Sequence, residues 1–150
     1  MEIMPLIALL IVGILAVNVL GMVLVVRWIK SKAMQRVEVI KQRFGQQLLL
    51  VAPSASLIGL ESKTRGMSRG NGTLALTEAD LVFQLWMPDT EIIVPRHCIT
   101  AVSEVKAFGG KSIFKPLLRI DWTDTDGQQA AMAIYMPDLG KLKAQLEANA

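Results

Sequence analysis

Cysteine and histidine are almost absent from this chain of 150 residues: Cys98 is its only cysteine and His97 its only histidine. One cysteine cannot form an internal disulfide, and domains in oxidising compartments often rely on disulfides, so the composition mildly favours a reducing side. Consecutive residues of an extended strand point to opposite faces, which makes His97 and Cys98 a poor pair of base and nucleophile. No other group of residues supplies a base, a nucleophile and an oxyanion site, so we expect no catalytic activity.

Charged side chains are absent from residues 3 to 26, and Arg27 is the residue that ends this apolar stretch. About 20 apolar residues are enough for a helix to cross the hydrocarbon core of a bilayer. A cleaved signal peptide is the alternative, but it has a basic start and an apolar core of about 7–15 residues. Since this chain starts Met1-Glu2 and its apolar stretch is longer, we expect a retained transmembrane helix over residues 3–29.

Lysine and arginine are missing before the apolar stretch and frequent after it, which predicts the orientation of the helix. The positive-inside rule places the basic flank in the cytoplasm, so the N-terminus would lie outside the cell (inner) membrane. Trp28 falls at the expected depth of the interface, where amphipathic rings are favoured. The membrane-interface residues expected from this pattern are Arg27, Trp28, Lys30 and Lys32.

Polar side chains are scarce within the expected span, where Asn18 is the only strongly polar residue. Asn18 and Gly21 share a face at i, i+3 spacing; a buried asparagine can bond across two helices, and glycine lets backbones approach. These two residues are the candidates for helix association, and a homo-oligomer is one expected assembly. The alternative is that one asparagine is tolerated in so apolar a helix.

Acidic residues are rare at the start of the next segment, residues 30–52, which we expect to be a basic amphipathic helix and a linker. Between Arg27 and Arg43 six lysines and arginines face one acid, Glu38, whereas from Phe44 onward ten bases face eleven acids. The positive charge is therefore local and gives no support to nucleic-acid binding. An apolar stripe at helical spacing consists of Ala33, Val37, Ile40 and Phe44. Three interpretations stay open: the helix rests on anionic headgroups, packs on a neighbouring element, or pairs with its copy in an oligomer.

Alternating apolar residues replace the helical pattern in residues 53–150 and predict a domain of short β-strands. The alternation is clearest at Leu81, Phe83 and Leu85, which share one face. A helical pattern returns after Pro137, with leucines at positions 139, 142 and 146 on one face. The segments expected as strands are 56–62, 72–77, 81–86, 91–94, 99–107, 117–122 and 129–135. The sequence therefore predicts seven strands followed by one helix.

The order of these elements, together with four sequence segments, resembles the core of PH-like and GRAM-like domains. The segments are Gly70-Asn71-Gly72-Thr73-Leu74-Ala75-Leu76-Thr77, Asp80-Leu81-Val82-Phe83, Glu91 to Pro95, and Ile99-Thr100-Ala101-Val102. The chain looks most like bacterial single-pass membrane proteins with such a domain, a largely uncharacterised group. The resemblance implies an α+β fold, a seven-stranded antiparallel β-barrel or sandwich capped by a C-terminal helix. It also implies a binding or adaptor module without intrinsic catalysis.

Two groups of residues are candidates for binding lipid or a protein partner. In PH domains that bind phosphoinositides, bases on the first hairpin clamp the phosphates, and the corresponding connection here carries Lys63, Arg65 and Arg69. The alternative is an ordinary solvated loop, because many members of this superfold bind no lipid. The second group is the loop at residues 108–116, where apolar residues accompany bases, as suits a headgroup surface or a docking site. Its candidates are Phe108, Lys111, Phe114 and Lys115, although its phenylalanines could instead fold back onto the barrel.

Motifs for cofactors and metals are incomplete in this sequence. The Gly-Gly-Lys-Ser stretch lacks the first glycine of a phosphate-binding P-loop, since Val105 stands there, and Pro116 follows too closely for a helix. Asp121, Asp124 and Asp126 lack the spacing and the distal glutamate of an EF-hand. We therefore expect no cofactor and no metal.

The partners expected from these patterns are the lipid bilayer and an unidentified membrane or cytoplasmic protein, without nucleic acid. The function we expect is that of a membrane-anchored, non-enzymatic adaptor at the cytoplasmic face. The alternatives are a structural subunit of a larger membrane assembly, held by its anchor helix, and a module that binds lipid headgroups.

Overall fold

The structure is a computed structural model that describes residues 3–62 and 69–148. The chain divides into two compact units, Met1–Gln35 and Arg36–Ala150. The first helix, α1 (Ile3–Phe44), supplies the first unit and continues into the second.

The described part of the first unit is helical, and it carries no charged residue from Ile3 to Val26. It contains a stretch that is long and apolar enough to cross a membrane, near the N-terminus of the chain. The large apolar side chains of this stretch are exposed, for example Leu9 at 75% and Val17 at 71%. Because exposing so much apolar surface to water is unfavourable, such a helix needs an apolar environment around it.

The second unit is built on one antiparallel sheet of seven strands, followed by a C-terminal helix. The strands are β1 (Leu48–Glu61), β2 (Gly70–Thr77), β3 (Asp80–Leu85), β4 (Thr90–Pro95), β5 (Ile99–Val105), β6 (Leu117–Thr123) and β7 (Gln129–Tyr135). The helix α2 spans Leu139–Glu147. The strand order is β4-β3-β2-β1-β7-β6-β5. The predicted α+β class, with a long apolar N-terminal helix, seven strands and a closing helix, is confirmed.

The first strand differs from the sequence-based expectation, because β1 begins at Leu48 rather than at Ser56. Its N-terminal part pairs with β2, and the part from Ser56 onward also pairs with β7. Pro53 lies at an irregularity of the β1–β2 register, between Ala52 and Ala55. Since proline has no N–H for the ladder, a bulge is one of the few places where a strand accepts it. The strand therefore passes through Pro53 instead of starting after it.

The main core fills the space between the two halves of the sheet. Its centre contains Phe83 from β3, Leu118 and Ile120 from β6, and Met132 from β7, all fully buried. Leu142 and Leu146 of α2 join this core, which explains why the helix of nine residues is amphipathic. The alternating burial of β6 from Leu118 onward follows from this, since successive side chains point to opposite faces.

The end of α1 belongs to the second unit and packs on β2 and β3. Ile40 is 4% exposed and lies in one cluster with Ala75 and Val82, to which Phe44 adds its ring. Val37, one turn earlier, is also buried. For these residues the second interpretation of the apolar stripe holds: it packs on a neighbouring element of the same chain.

Candidate functional site

The loop between β5 and β6, residues 106–116, is here called the finger loop. It begins with a tight turn in which the backbone N–H of Phe108 donates to the carbonyl of Lys111 at 2.8 Å, and Lys111 returns a bond at 2.9 Å. The two central residues, Gly109 and Gly110, have φ angles of 55° and 73°. Such angles suit glycine in a two-residue turn, because glycine has no Cβ to clash. The turn therefore gives the finger loop a defined conformation.

Phe108 fixes the loop to the sheet. Its ring is 4% exposed and lies in a second apolar cluster with Ile58, Leu117 and Ala133. A Cβ atom added to Gly59 would come within 2.8 Å of the Phe108 ring, so β1 has room for this ring only because residue 59 is glycine. Phe108, a candidate for binding, is thus placed in the interior.

A cation also covers the Phe108 ring. The guanidinium carbon of Arg119 lies 5.4 Å from the ring centroid, within the range of a cation–π contact. Arg119 donates from Nη2 to Asp121 Oδ1 at 2.8 Å and from Nε to Asp121 Oδ2 at 3.0 Å. This hydrogen-bonded pair raises the pKa of Arg119 above its usual value. The face of the sheet under the finger loop is therefore closed by packing and by an ion pair.

Phe114, unlike Phe108, is on the surface, and its side chain is 99% exposed. Its φ angle is 58°, in the left-handed region that non-glycine residues rarely adopt. The conformation is held by Ser112, whose hydroxyl oxygen accepts from the Phe114 N–H at 3.1 Å and donates to the Lys106 carbonyl at 2.8 Å. The loop thus presents one aromatic ring to solvent from a restrained backbone.

Three lysines and no acidic residue accompany this ring within residues 106–116. Lys106 and Lys115 are exposed, and Lys111 is partly buried. The Lys115 ammonium donates to the Tyr135 hydroxyl at 3.3 Å and lies 5.0 Å from the Tyr135 ring centroid. The charge of Lys115, the residue that follows Phe114, therefore lies against Tyr135. Among the sequence candidates, the structure brings Lys111, Phe114 and Lys115 into one loop.

The candidate bases of the first hairpin do not all fall within the described residues. Lys63 and Arg65 lie outside them, while Arg69 is described and exposed just before β2. In the first unit, the candidate interface residues are exposed, Trp28 at 60%. The Asn18 side-chain amide donates to the carbonyl of Ile14 at 2.8 Å, so it is engaged within its own helix. The exposed interface residues besides Trp28 are Arg27, Lys30 and Lys32.

Sequence reasoning missed the contacts of Arg36. Its Nη1 donates to the Leu85 carbonyl at 3.1 Å and pairs with Asp89 at 3.3 Å, and its Nη2 donates to the Trp86 carbonyl at 3.4 Å. Arg43 forms a similar ion pair with Glu91. These partners lie about 50 residues away along the chain, so no local pattern indicates them. Two bases that the sequence assigns to a general positive stretch therefore bind the turn and strand that follow β3.

The only histidine and the only cysteine lie in the short 3-10 turn Arg96–Cys98, between β4 and β5. Within the described ranges 3–62 and 69–148, no group of three or more His, Cys, Asp or Glu side chains could hold a metal ion.

Comparison with known proteins gives no family name. No family model matches the chain, and no curated protein matches it. One similar solved structure is a chain in "The 8S snRNP Assembly Intermediate", with a TM-score of 0.51 and 13% identity, covering 70% of this chain and 85% of that one. A second is the C-terminal domain of an unknown protein from Leishmania infantum, with a TM-score of 0.49 and 14% identity, covering 75% and 94%. At 13% identity the first similarity concerns the fold alone.

Proposed function

We propose that this chain is a membrane-anchored, non-enzymatic binding module of PH-like type that acts as an adaptor at the cytoplasmic face of the membrane. The observation that carries the proposal is the stretch from Ile3 to Val26, which has no charged residue and exposes its apolar side chains. Joined to a folded sheet unit, such a stretch suits a single-pass anchor.

The PH-like part of the proposal is supported by the topology of the second unit. Seven antiparallel strands in the order β4-β3-β2-β1-β7-β6-β5, closed by a terminal helix, fit the element order that the sequence resemblance implies. The sequence segments from Gly70 to Thr77 and from Asp80 to Phe83, on which the resemblance rests, form β2 and the start of β3.

The cytoplasmic side is supported by charge. Arg27, Lys30 and Lys32 follow the apolar stretch, and no lysine or arginine precedes it. The cost of moving such a basic flank across a bilayer favours leaving it inside. A single cysteine agrees with a reducing compartment.

Anchoring gives a binding module an advantage that needs no tight contact. A module confined to a surface meets partners on that surface at a high effective concentration, so modest affinity is sufficient. The non-enzymatic part is supported by the chain's composition, in which His97 and Cys98 are the only residues of their kinds and are consecutive.

Membrane fractionation tests the anchor. The full chain, expressed in bacterial cells, should stay in the membrane pellet after a carbonate wash at high pH and leave it only with detergent. Recovery of a shortened chain in the soluble fraction would contradict the proposal, since it would indicate a cleaved leader.

Cysteine labelling tests the orientation. In a Cys98→Ala background, Thr125→Cys places one thiol on the exposed β6–β7 turn. A membrane-impermeant maleimide should label it only after the cytoplasmic membrane is opened. Labelling in intact cells whose outer barrier alone is permeable would place the module on the other side.

A further inference from the structure

We propose that Phe114 is the anchor by which the module docks a protein partner, and that the partner offers an apolar pocket rimmed by carboxylates. The inference rests on the proposed adaptor function and names the chemistry of its partner. The inference goes beyond the proposed function because it names one docking residue and one class of partner.

The first argument is the exposure of the Phe114 ring. At 99%, it has the largest exposed fraction among the large apolar residues that the structure describes in the sheet unit. Aromatic rings supply much of the binding free energy at protein interfaces when they enter a pocket on the partner. The neighbouring Phe108 shows that the same loop can bury an aromatic ring when folding requires it.

The second argument is that the backbone that carries the ring is restrained before any partner arrives. Phe114 keeps a φ of 58°, which is unfavourable by about 1 kcal/mol or more for a residue with a Cβ. The Ser112 hydroxyl, the Gly109-Gly110 turn and the buried Phe108 ring together maintain this conformation. A loop whose backbone is already restrained loses less entropy on binding, which favours docking to a shaped pocket.

The third argument is charge. Residues 106–116 carry three lysines and no acid, so the loop attracts a negative surface. Lys115, the residue that follows Phe114, is held against Tyr135 by a hydrogen bond of 3.3 Å and by a contact with its ring. A partner with carboxylates around an apolar pocket complements this pattern.

An anionic bilayer is the competing source of negative charge, and the restrained backbone of the loop argues against it. A fluid headgroup layer has no shaped pocket, so it gains little from a Phe114 backbone that is held at a φ of 58° by the Ser112 hydroxyl and the Gly109-Gly110 turn. A pocket on a protein does gain from such a backbone, because less entropy is lost when the loop docks.

Site-specific photocrosslinking tests the inference. The full chain would carry p-benzoylphenylalanine in place of Phe114 and be irradiated in the native membranes of the cells that produce it. A matched chain would carry the same group in place of Thr125, which is exposed on the β6–β7 turn. We expect a discrete protein adduct from position 114, at least about fivefold stronger than from position 125, with the crosslinked peptide in an acidic surface of the partner.

Removal of the charge gives the second measurement. In the 114-substituted chain, Lys106→Gln, Lys111→Gln and Lys115→Gln together should lower the adduct at least about fivefold. Thermal unfolding of this variant should match that of its parent, which separates lost attraction from lost folding. If it melts lower, the single changes Lys106→Gln and Lys111→Gln, which leave the Tyr135 contact intact, are compared instead.

Several outcomes would overturn the inference: lipid adducts alone, no adduct, adducts of equal yield at both positions, or an adduct whose yield is unchanged by the lysine substitutions. Lipid adducts would identify the bilayer as the occupant. These results differ from a failure of the proposed function, which would appear as release of the chain from carbonate-washed membranes. An adduct from position 125 alone would leave an adaptor whose docking residue is not Phe114.

Discussion

Ile40 gives a direct test of the packing between α1 and the sheet. Its side chain is 4% exposed and lies in one cluster with Ala75 and Val82. Ile40→Ala removes three carbon atoms, and at about 0.8 kcal/mol for each buried carbon the lost transfer free energy is about 2.4 kcal/mol. The cavity that remains adds about 1 kcal/mol, and the greater helix propensity of alanine returns about 0.4 kcal/mol. We expect the free energy of unfolding to fall by about 3 kcal/mol.

The assay is thermal unfolding of the full chain in a mild detergent, followed by the fluorescence of Trp86 and Trp122 in the sheet unit. For a unit of this size, about 3 kcal/mol corresponds to a fall in Tm of about 10 °C. Val39→Ala is the matched control, because Val39 is the preceding residue of the same helix and is 59% exposed. It should change Tm by no more than about 2 °C. Equal shifts for the two variants would refute the reasoning, since burial at residue 40 would then have no special role.

Three further predictions use the same assay. Gly72→Ala should destabilise the unit by more than about 2 kcal/mol, because its Cβ would meet an aromatic ring at 2.5 Å and the adjacent backbone. Gly140→Ala should instead stabilise the unit by about 0.5–1 kcal/mol, because residue 140 faces open space on α2. A Tm that rises for Gly72→Ala and falls for Gly140→Ala would contradict this packing. Phe108→Ala should lower the free energy of unfolding by about 3–4 kcal/mol, whereas Phe114→Ala should change Tm by no more than about 2 °C. A large fall in Tm for Phe114→Ala would mean that the Phe114 ring is packed. Arg36→Ala should lower the free energy of unfolding by about 1–2 kcal/mol. Arg36→Lys should lower it by less but not leave it unchanged, because an ammonium cannot bind two carbonyls and a carboxylate at once. A lysine variant as stable as the native chain would show that charge alone matters.

Several strands of the second unit were predictable because large apolar residues recur at every second position. Leu81, Phe83 and Leu85 show this spacing in β3, and all three lie in the main core. A period of two marks such strands without knowledge of their partners. The start of β1 was harder to predict from the sequence, since Leu48 to Ala52 is an unbroken apolar run and a proline such as Pro53 usually marks the boundary of a strand. Only pairing with β2 reveals that the strand continues through a bulge.

The finger loop shows where sequence reasoning ends. Phe108 and Phe114 belong to one loop with similar neighbours, and their chemistry left burial and exposure equally open. Phe108 is buried against Gly59, about 50 residues earlier, where an added Cβ would come within 2.8 Å of its ring. Phe114 stays exposed, and its backbone N–H donates to the Ser112 hydroxyl. Contacts between distant residues, rather than local propensity, assign the two rings their different roles.

The length of chain between Trp28 and Arg36 limits what kind of partner can reach the module. Eight residues separate them along the sequence, and eight residues span at most about 28 Å even when fully extended. If Trp28 marks the membrane interface, the point where the chain enters the sheet unit stays within that distance of the lipid in any arrangement of the two units. Under the proposed anchoring, the sheet unit is therefore tethered to the membrane by a short connection. Partners that are themselves bound to the membrane then meet the unit at a higher effective concentration than freely diffusing ones.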